Sequence, residues 1–166
     1  RALVALMLDS GLRQNEVCTL LTSNIQFENK MLKVLGKGAK ERMVPIGKIT
    51  RHYLKEYLAS CPYHTENTFV SRRGDPLTGD AVKHLISKLA KKLPFEFSSH
   101  KLRHNFATNY CIDQYEKYGR IDIFQLMSLM GHENISTTQK YLHYAMDIIA
   151  ARADVSHIDN IIKEVI

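Results

Sequence analysis

Ser98-Ser99-His100-Lys101-Leu102-Arg103-His104 is the stretch on which the reading of this chain turns. A histidine and an arginine three apart share one face of a helix, because residues i and i+3 are neighbours at 3.6 residues per turn. Ser98 or Ser99 can cap that helix, which places His100 in the first turn, where free backbone N–H groups favour an anion. Gly131-His132 follows, and Tyr141 stands nine residues beyond that histidine. Two imidazoles, a guanidinium and a phenol gathered in this way point to phosphate chemistry rather than proteolysis.

The totals agree with a basic globular protein. The 166 residues are 45% apolar, enough for one well-buried domain and too few to argue for two. Lys and Arg number 23 against 17 acids, a net charge of +6, which favours a polyanionic partner without proving one. No run approaches the ~18 apolar residues of a membrane span. Cys18, Cys61 and Cys111 are odd in number and far apart, and read as small core residues of a reducing, cytoplasmic protein. The chain opens on Arg1 inside an apolar helical pattern, which predicts the C-terminal part of a larger protein.

Outward from the central stretch, the pattern is mainly α with one small sheet. Helices are expected over Ala2 to Asp9 with a stop at Ser10-Gly11, from Leu12 to about Leu21, and from Ile49 to Cys61. Asn24 to Phe27, Met31 to Leu35 and Arg42 to Pro45 read as a three-stranded antiparallel sheet, with Lys37 at the tip of the Gly36–Lys40 turn. Thr78 caps a basic helix to about Leu93, with Val82, Leu85, Ile86, Leu89 and Leu93 expected inward. Gln114 to Arg120 reads as a loop, Ile121 to Met130 as a helix stopping at Gly131, and Ser136-Thr137-Thr138 as the cap of a helix holding Tyr141.

Five motifs then line up in order: Gly11-Leu12-Arg13 with Glu16, Gly36-Lys37-Gly38 with Arg42-Met43-Val44-Pro45, His100-Lys101-Leu102-Arg103-His104, Gly131-His132, and Thr137-Thr138 before Tyr141. Each is weak alone; together they resemble the catalytic domain of a tyrosine recombinase, of the phage-integrase and Xer-like family, over nearly the whole chain. The resemblance implies an α+β, mainly α fold: the helical tyrosine-recombinase catalytic domain with its small three-stranded antiparallel sheet, spanning 1–166 as one domain. It also implies a site-specific DNA recombinase or integrase that cleaves and rejoins strands through a covalent 3′-phosphotyrosyl link.

The chemistry explains the residue types. Displacement at a DNA phosphodiester spreads charge over equatorial phosphorus oxygens, and stabilising it is most of the work. Arg13 and Arg103 offer planar forks matched to two oxygens, and the resemblance gives them that clamp. Tyr141 is the expected nucleophile; a phenol with a pKa of about 10 needs nearby cations and a proton acceptor. Lys37 resembles the general acid that protonates the leaving 5′-oxygen. His100 and His132 would hydrogen-bond the phosphate, with His100 the expected acceptor of the Tyr141 proton. Glu16 would orient the arginine region by ion pairing, and His104 and His143 read as structural or phosphate-adjacent. No acidic cluster suits a metal, and a zinc site on His100 and His104 lacks the glutamate of that motif, since Lys101 stands in its place; no cofactor is expected.

Double-stranded DNA is the expected partner, with Lys40, Arg42, Lys83 and His84 as candidate DNA contacts and binding that weakens with salt. The apolar tail over 155–166 is expected to dock as a helix: the resemblance implies a neighbouring subunit in a homo-oligomer, a tetramer on DNA, and docking on its own domain is the alternative. Met130 replaces a commoner leucine, and Gln114 to Arg120 looks longer than usual for the family. The competing functions are type IB topoisomerase-like relaxation and a DNA-binding module without catalysis.

Overall fold

Gly11 sets the first corner of the molecule. Helix α1 (Ala2–Ser10) closes with Gly11 in the left-handed region at φ 60°, its N–H donating to the Met7 carbonyl. A Cβ there would lie 2.3 Å from Cδ1 of Phe106, so this corner demands glycine for both conformation and space. The computed structural model describes residues 1–36, 38 and 40–153. Beyond α1 these form α2 (Gln14–Cys18), β1 (Ile25–Gln26), β2 (Met31–Leu35), β3 (Glu41–Pro45), α3 (Lys48–Ser60), α4 (Gly79–Ala90), α5 (Ser99–Tyr118), α6 (Ile123–Met130) and α7 (Ile135–Ala153).

The expected architecture holds: helices dominate and the strands make one antiparallel sheet in the order β1-β2-β3. Leu32 pairs with both Ile25 and Val44, and Val34 with Arg42. Alternation along β2 and β3 turns Leu32, Val34 and Val44 into the core, and Arg42 shares their face. The caps read from sequence also form. Thr78 accepts from the Ala81 N–H and Ser98 from the Lys101 N–H, each satisfying a donor left free by its helix start.

Three local expectations are corrected. Gln114 to Arg120 is not a loop as far as Tyr118, because α5 continues through it and stops only at Gly119, left-handed at φ 66°. Its polarity is that of an exposed helix end. Leu85, Leu89 and Leu93 do not face inward; only Val82 and Ile86 of that stripe are buried. Asn134, rather than Ser136, tends the start of α7, its side chain accepting from the Ser136 N–H and its carbonyl from the Thr137 N–H. The predicted tail helix over 155–166 lies outside the described residues.

Two apolar clusters hold the elements. The larger joins α1, α2, the sheet, α3 and α4 around fully buried Leu6, Met7, Leu12, Leu32 and Leu54, each worth about 1.5–3 kcal/mol of burial. The smaller joins α5, α6 and α7 through Ala107, Cys111, Leu126, Met130, Tyr141 and Ala145. Phe106 and Tyr110 of α5 pack against both. Cys18 and Cys111 are core residues as expected, whereas Cys61 is half-buried. The candidate site forms where the two clusters meet.

Candidate active site

The end of α6 is the floor of the site. Its last carbonyls lack helical partners, and three arginines from three other elements supply donors. Arg42 of β3 donates from Nε to the Leu129 carbonyl at 2.8 Å. Arg103 of α5 donates to the Met130 carbonyl at 2.6 Å, and Arg13, at the start of α2, to the Gly131 carbonyl at 2.8 Å. The partial negative charge of a helix C-terminus complements cations at this position. Gly131, left-handed at φ 61°, closes α6, and the His132 N–H reaches back to the Met127 carbonyl, so His132 emerges beside the arginines.

Glu16 balances part of that charge. Its carboxylate, 6% exposed, accepts from the Arg13 backbone N–H (2.7 Å) and Arg13 Nη1 (3.1 Å). It also accepts from both terminal nitrogens of Arg42 (2.8 and 2.9 Å). Burial alone would raise this carboxyl; the Arg42 hydrogen bonds, the Arg13 N–H and the two guanidinium charges outweigh it and hold the group below its ordinary value. The expected orienting role of Glu16 has this geometry.

Arg103 is buried and donates to the Gly11 carbonyl as well as to Met130, and its Nη2 lies 2.9 Å from His132 Nε2. Burial first, then the Arg13 charge, lower its pKa to about 10, so it stays a cation at neutral pH. Five N–H groups per guanidinium leave each of Arg13 and Arg103 with donors to spare for a bound anion. His132 Nδ1 lies 2.9 Å from Thr138 Oγ1. Burial, then Arg103, Arg13, Lys140 and Arg42, push this imidazole down to about 4, so it is neutral at pH 7.

Tyr141 of α7 lies 2% exposed between two imidazoles. The His132 ring stacks nearly parallel to it at 6.2 Å, and His104 tilts against it at 5.1 Å. Its negative charge, once formed, would be felt at Arg103. Tyr144, a turn further on, is half exposed. A cleft of about 1320 Å³ is walled by Arg13, Glu16, Gly36, Arg42, His132 and Thr137. Arg13 and His132 bring hydrogen-bonding groups suited to an anionic phosphodiester to a wall that also holds Glu16, Glu41 and Glu133.

A family model described as the phage integrase family matches residues 1–147. The chain belongs to the phage integrase family. It is similar to the tyrosine recombinase XerC of Pelobacter propionicus, 34% identical over 161 residues, which are 95% of this chain and 51% of that protein. It is also similar to XerA of Thermococcus kodakarensis, 36% identical over 145 residues, 85% of this chain and 49% of the other. The chain spans about half the length of the curated relatives it matches. Among solved structures, the XerA recombinase crystal structure superposes with a TM-score of 0.77 at 25% identity, covering 94% of this chain and 58% of that one. A XerH recombinase on palindromic difH substrate, in a post-cleavage complex, shares the fold with a TM-score of 0.73 at 24% identity, covering 93% and 45%.

Within this integrase fold, five of the expected site residues converge: Arg13, Glu16, Arg103, His132 and Tyr141. His100 lies exposed in the first turn of α5, on the face shared by Arg103 and His104, and bonds to neither arginine nor Tyr141. Lys37 lies outside the described residues. Arg42 is a correction: it is 10% exposed and spends three donors on Glu16 and Leu129, so it is a member of the site's scaffold and not a free DNA contact. Its place on the core-facing side of β3, two residues before Val44, was the available signal. Lys40 pairs with Glu133 at 3.2 Å across the mouth of the cleft, and Lys83 and His84 are exposed on α4. From sequence, Thr138 belongs to a helix cap and to the motif before Tyr141, with no contact assigned to it; its hydroxyl lies against His132. Among the described residues no helix is long and apolar enough to cross a membrane.

Proposed function

We propose that this chain carries the catalytic apparatus of a site-specific DNA recombinase that breaks and rejoins strands through a phosphotyrosyl intermediate without a metal ion. The observation that carries this reading is the convergence of Arg13 and Arg103 on the end of α6, beside His132 and the ring of Tyr141. The two guanidinia neutralise the phosphorane oxygens, the work a divalent ion does in other phosphoryl transfers. The Tyr141 oxygen attacks phosphorus; the 5′-oxygen leaves and takes a proton from Lys37, while His100 accepts the phenol's proton and His132 hydrogen-bonds a phosphate oxygen. The phosphotyrosyl bond keeps the energy needed for rejoining.

Duplex DNA lies across the cleft mouth, with Lys40, Lys83 and His84 as phosphate or base contacts, and the 155–166 tail joins subunits into a tetramer on DNA. The site of action is the cytoplasm, on the nucleoid.

The test uses a pool of nicked duplexes with randomised cores, incubated with the intact protein in EDTA. An SDS-resistant adduct on a sequence subset, lost in Tyr141→Phe, is expected. No adduct, or one that survives Tyr141→Phe, overturns the reading; adducts on every duplex alike would mark a topoisomerase.

A further inference from the structure

We propose that Thr138 is a positioning residue: its hydroxyl holds the proton of His132 on Nδ1 and so aims the ring's bare Nε2 at the arginine cluster. A guanidinium has only donors, so the 2.9 Å contact of Arg103 Nη2 with His132 Nε2 makes Nε2 the acceptor. The proton of the neutral ring is then on Nδ1, which donates to Thr138 Oγ1, also at 2.9 Å. Thr138 is fully buried, so no solvent can replace it.

The same side chain ties three elements together. Thr138 is three residues before Tyr141 and shares its face of α7, His132 belongs to the turn after α6, and Arg103 to α5. The His132 ring, fixed at one edge by Arg103 and at the other by Thr138, lies nearly parallel to the Tyr141 ring. Without the hydroxyl, the Nδ1–H loses the acceptor it has among the described residues; moving the proton to Nε2 would then set two donors, the ring and Arg103, against each other. The charged groups facing His132 are Arg103 from α5, Arg13 at the start of α2, Arg42 from β3 and Lys140 from α7, all cations. None of them can take the place of Thr138 as acceptor.

The consequence for catalysis rests on the recombinase reading above. When Arg103 turns its N–H onto a phosphate oxygen, Nε2 is released and takes up one proton from a buffer acid in solution, whose conjugate base stays in the solvent. The ring, now an imidazolium, donates Nε2–H to the phosphate while Nδ1–H stays on Thr138. Thr138 thus remains an acceptor throughout, and no other bond changes.

Nitrogen-15 spectra of the histidine rings in the intact protein at pH 7 test the first part without DNA. The His132 signal, identified by its loss in His132→Asn, should show a protonated Nδ1 and a bare Nε2. Thr138→Val should lose that pattern and Thr138→Ser keep it, with Thr138→Ala serving if the valine variant does not fold. On a duplex recovered from the pool, Thr138→Val should form adduct about 10- to 100-fold more slowly at saturating DNA, the range for removing a partner that orients a metal-bound imidazole. Its half-saturating DNA concentration should stay within about twofold, and Thr138→Ser should restore the rate. A parent ring protonated on Nε2, or a Thr138→Val or Thr138→Ala protein with the parent's spectrum and rate, overturns the proposal. Failure to find any adduct overturns the recombinase reading alone, since the ring spectra judge Thr138 separately.

Discussion

Replacing Arg42 by methionine probes the scaffold beneath the cleft. Methionine keeps much of the side-chain volume but leaves the 6%-exposed Glu16 carboxylate with only Arg13 as its ionic partner. Breaking a buried pair from one side costs about 3–5 kcal/mol. The lower end applies because the Arg13 N–H and Nη1 remain on Glu16, and the Leu129 carbonyl loses a donor worth about 1 kcal/mol. A loss of about 3–4 kcal/mol in a chain of this size lowers Tm by about 6–16 °C. Thermal unfolding followed by far-ultraviolet circular dichroism at pH 7 measures it. Glu16→Leu added to Arg42→Met removes the stranded carboxylate, and the double variant should melt higher than Arg42→Met alone. A double variant that melts no higher, or a single variant within about 1 °C of the parent, would refute the account of Arg42 as the partner that makes a buried Glu16 tolerable.

Gly11→Ala should cost about 2–4 kcal/mol, from a left-handed residue and a Cβ driven against Phe106, with Phe106→Leu recovering part of the loss in urea titrations. Stability should fall as pH drops from 6.5 towards about 4, because unfolded His132 binds a proton that the folded ring refuses; His132→Asn should flatten that segment of a Tm-against-pH curve. Glu16, held below its ordinary value, contributes stability that is present above pH 4.5 and is lost as the pH falls through its folded-state value, a second loss that Glu16→Gln should remove. Arg103→Lys cannot serve Gly11, Met130 and His132 at once, and should slow adduct formation by about 100- to 1000-fold in single-turnover assays, the cost of losing one oxyanion donor.

Much of the arrangement was legible because it is local. Ser98 caps α5 as its hydroxyl and the following pattern imply, and Gly11 and Gly131 end helices where only left-handed residues can. The sites of Arg13, Arg103, His132 and Tyr141 followed from motif order, which carries tertiary information that no single stretch holds. What failed had separate causes. Arg42 reads as a DNA contact because it flanks the basic hairpin turn, yet its partner Glu16 is 26 residues away and its other acceptor, Leu129, is 87 away. Leu85 and Leu89 fit the helical stripe but are exposed among the described residues, so periodicity overstated burial. Polarity hid the last turns of α5, where Gly119 was the better boundary signal.

The oxygens at the end of α6 have a consequence for how this protein can drift. Arg42, Arg103 and Arg13 rest on the main chain of residues 129–131, and every amino acid carries a carbonyl. Substitutions at 129 and 130 are therefore judged by how an apolar side chain fills the buried space, and methionine at 130 meets that demand without touching the chemistry. Position 131 has no such licence: a side chain there would strain its left-handed backbone and press on guanidinium atoms of Arg42 and Arg13, which lie 3.1–3.3 Å from where a Cβ would stand.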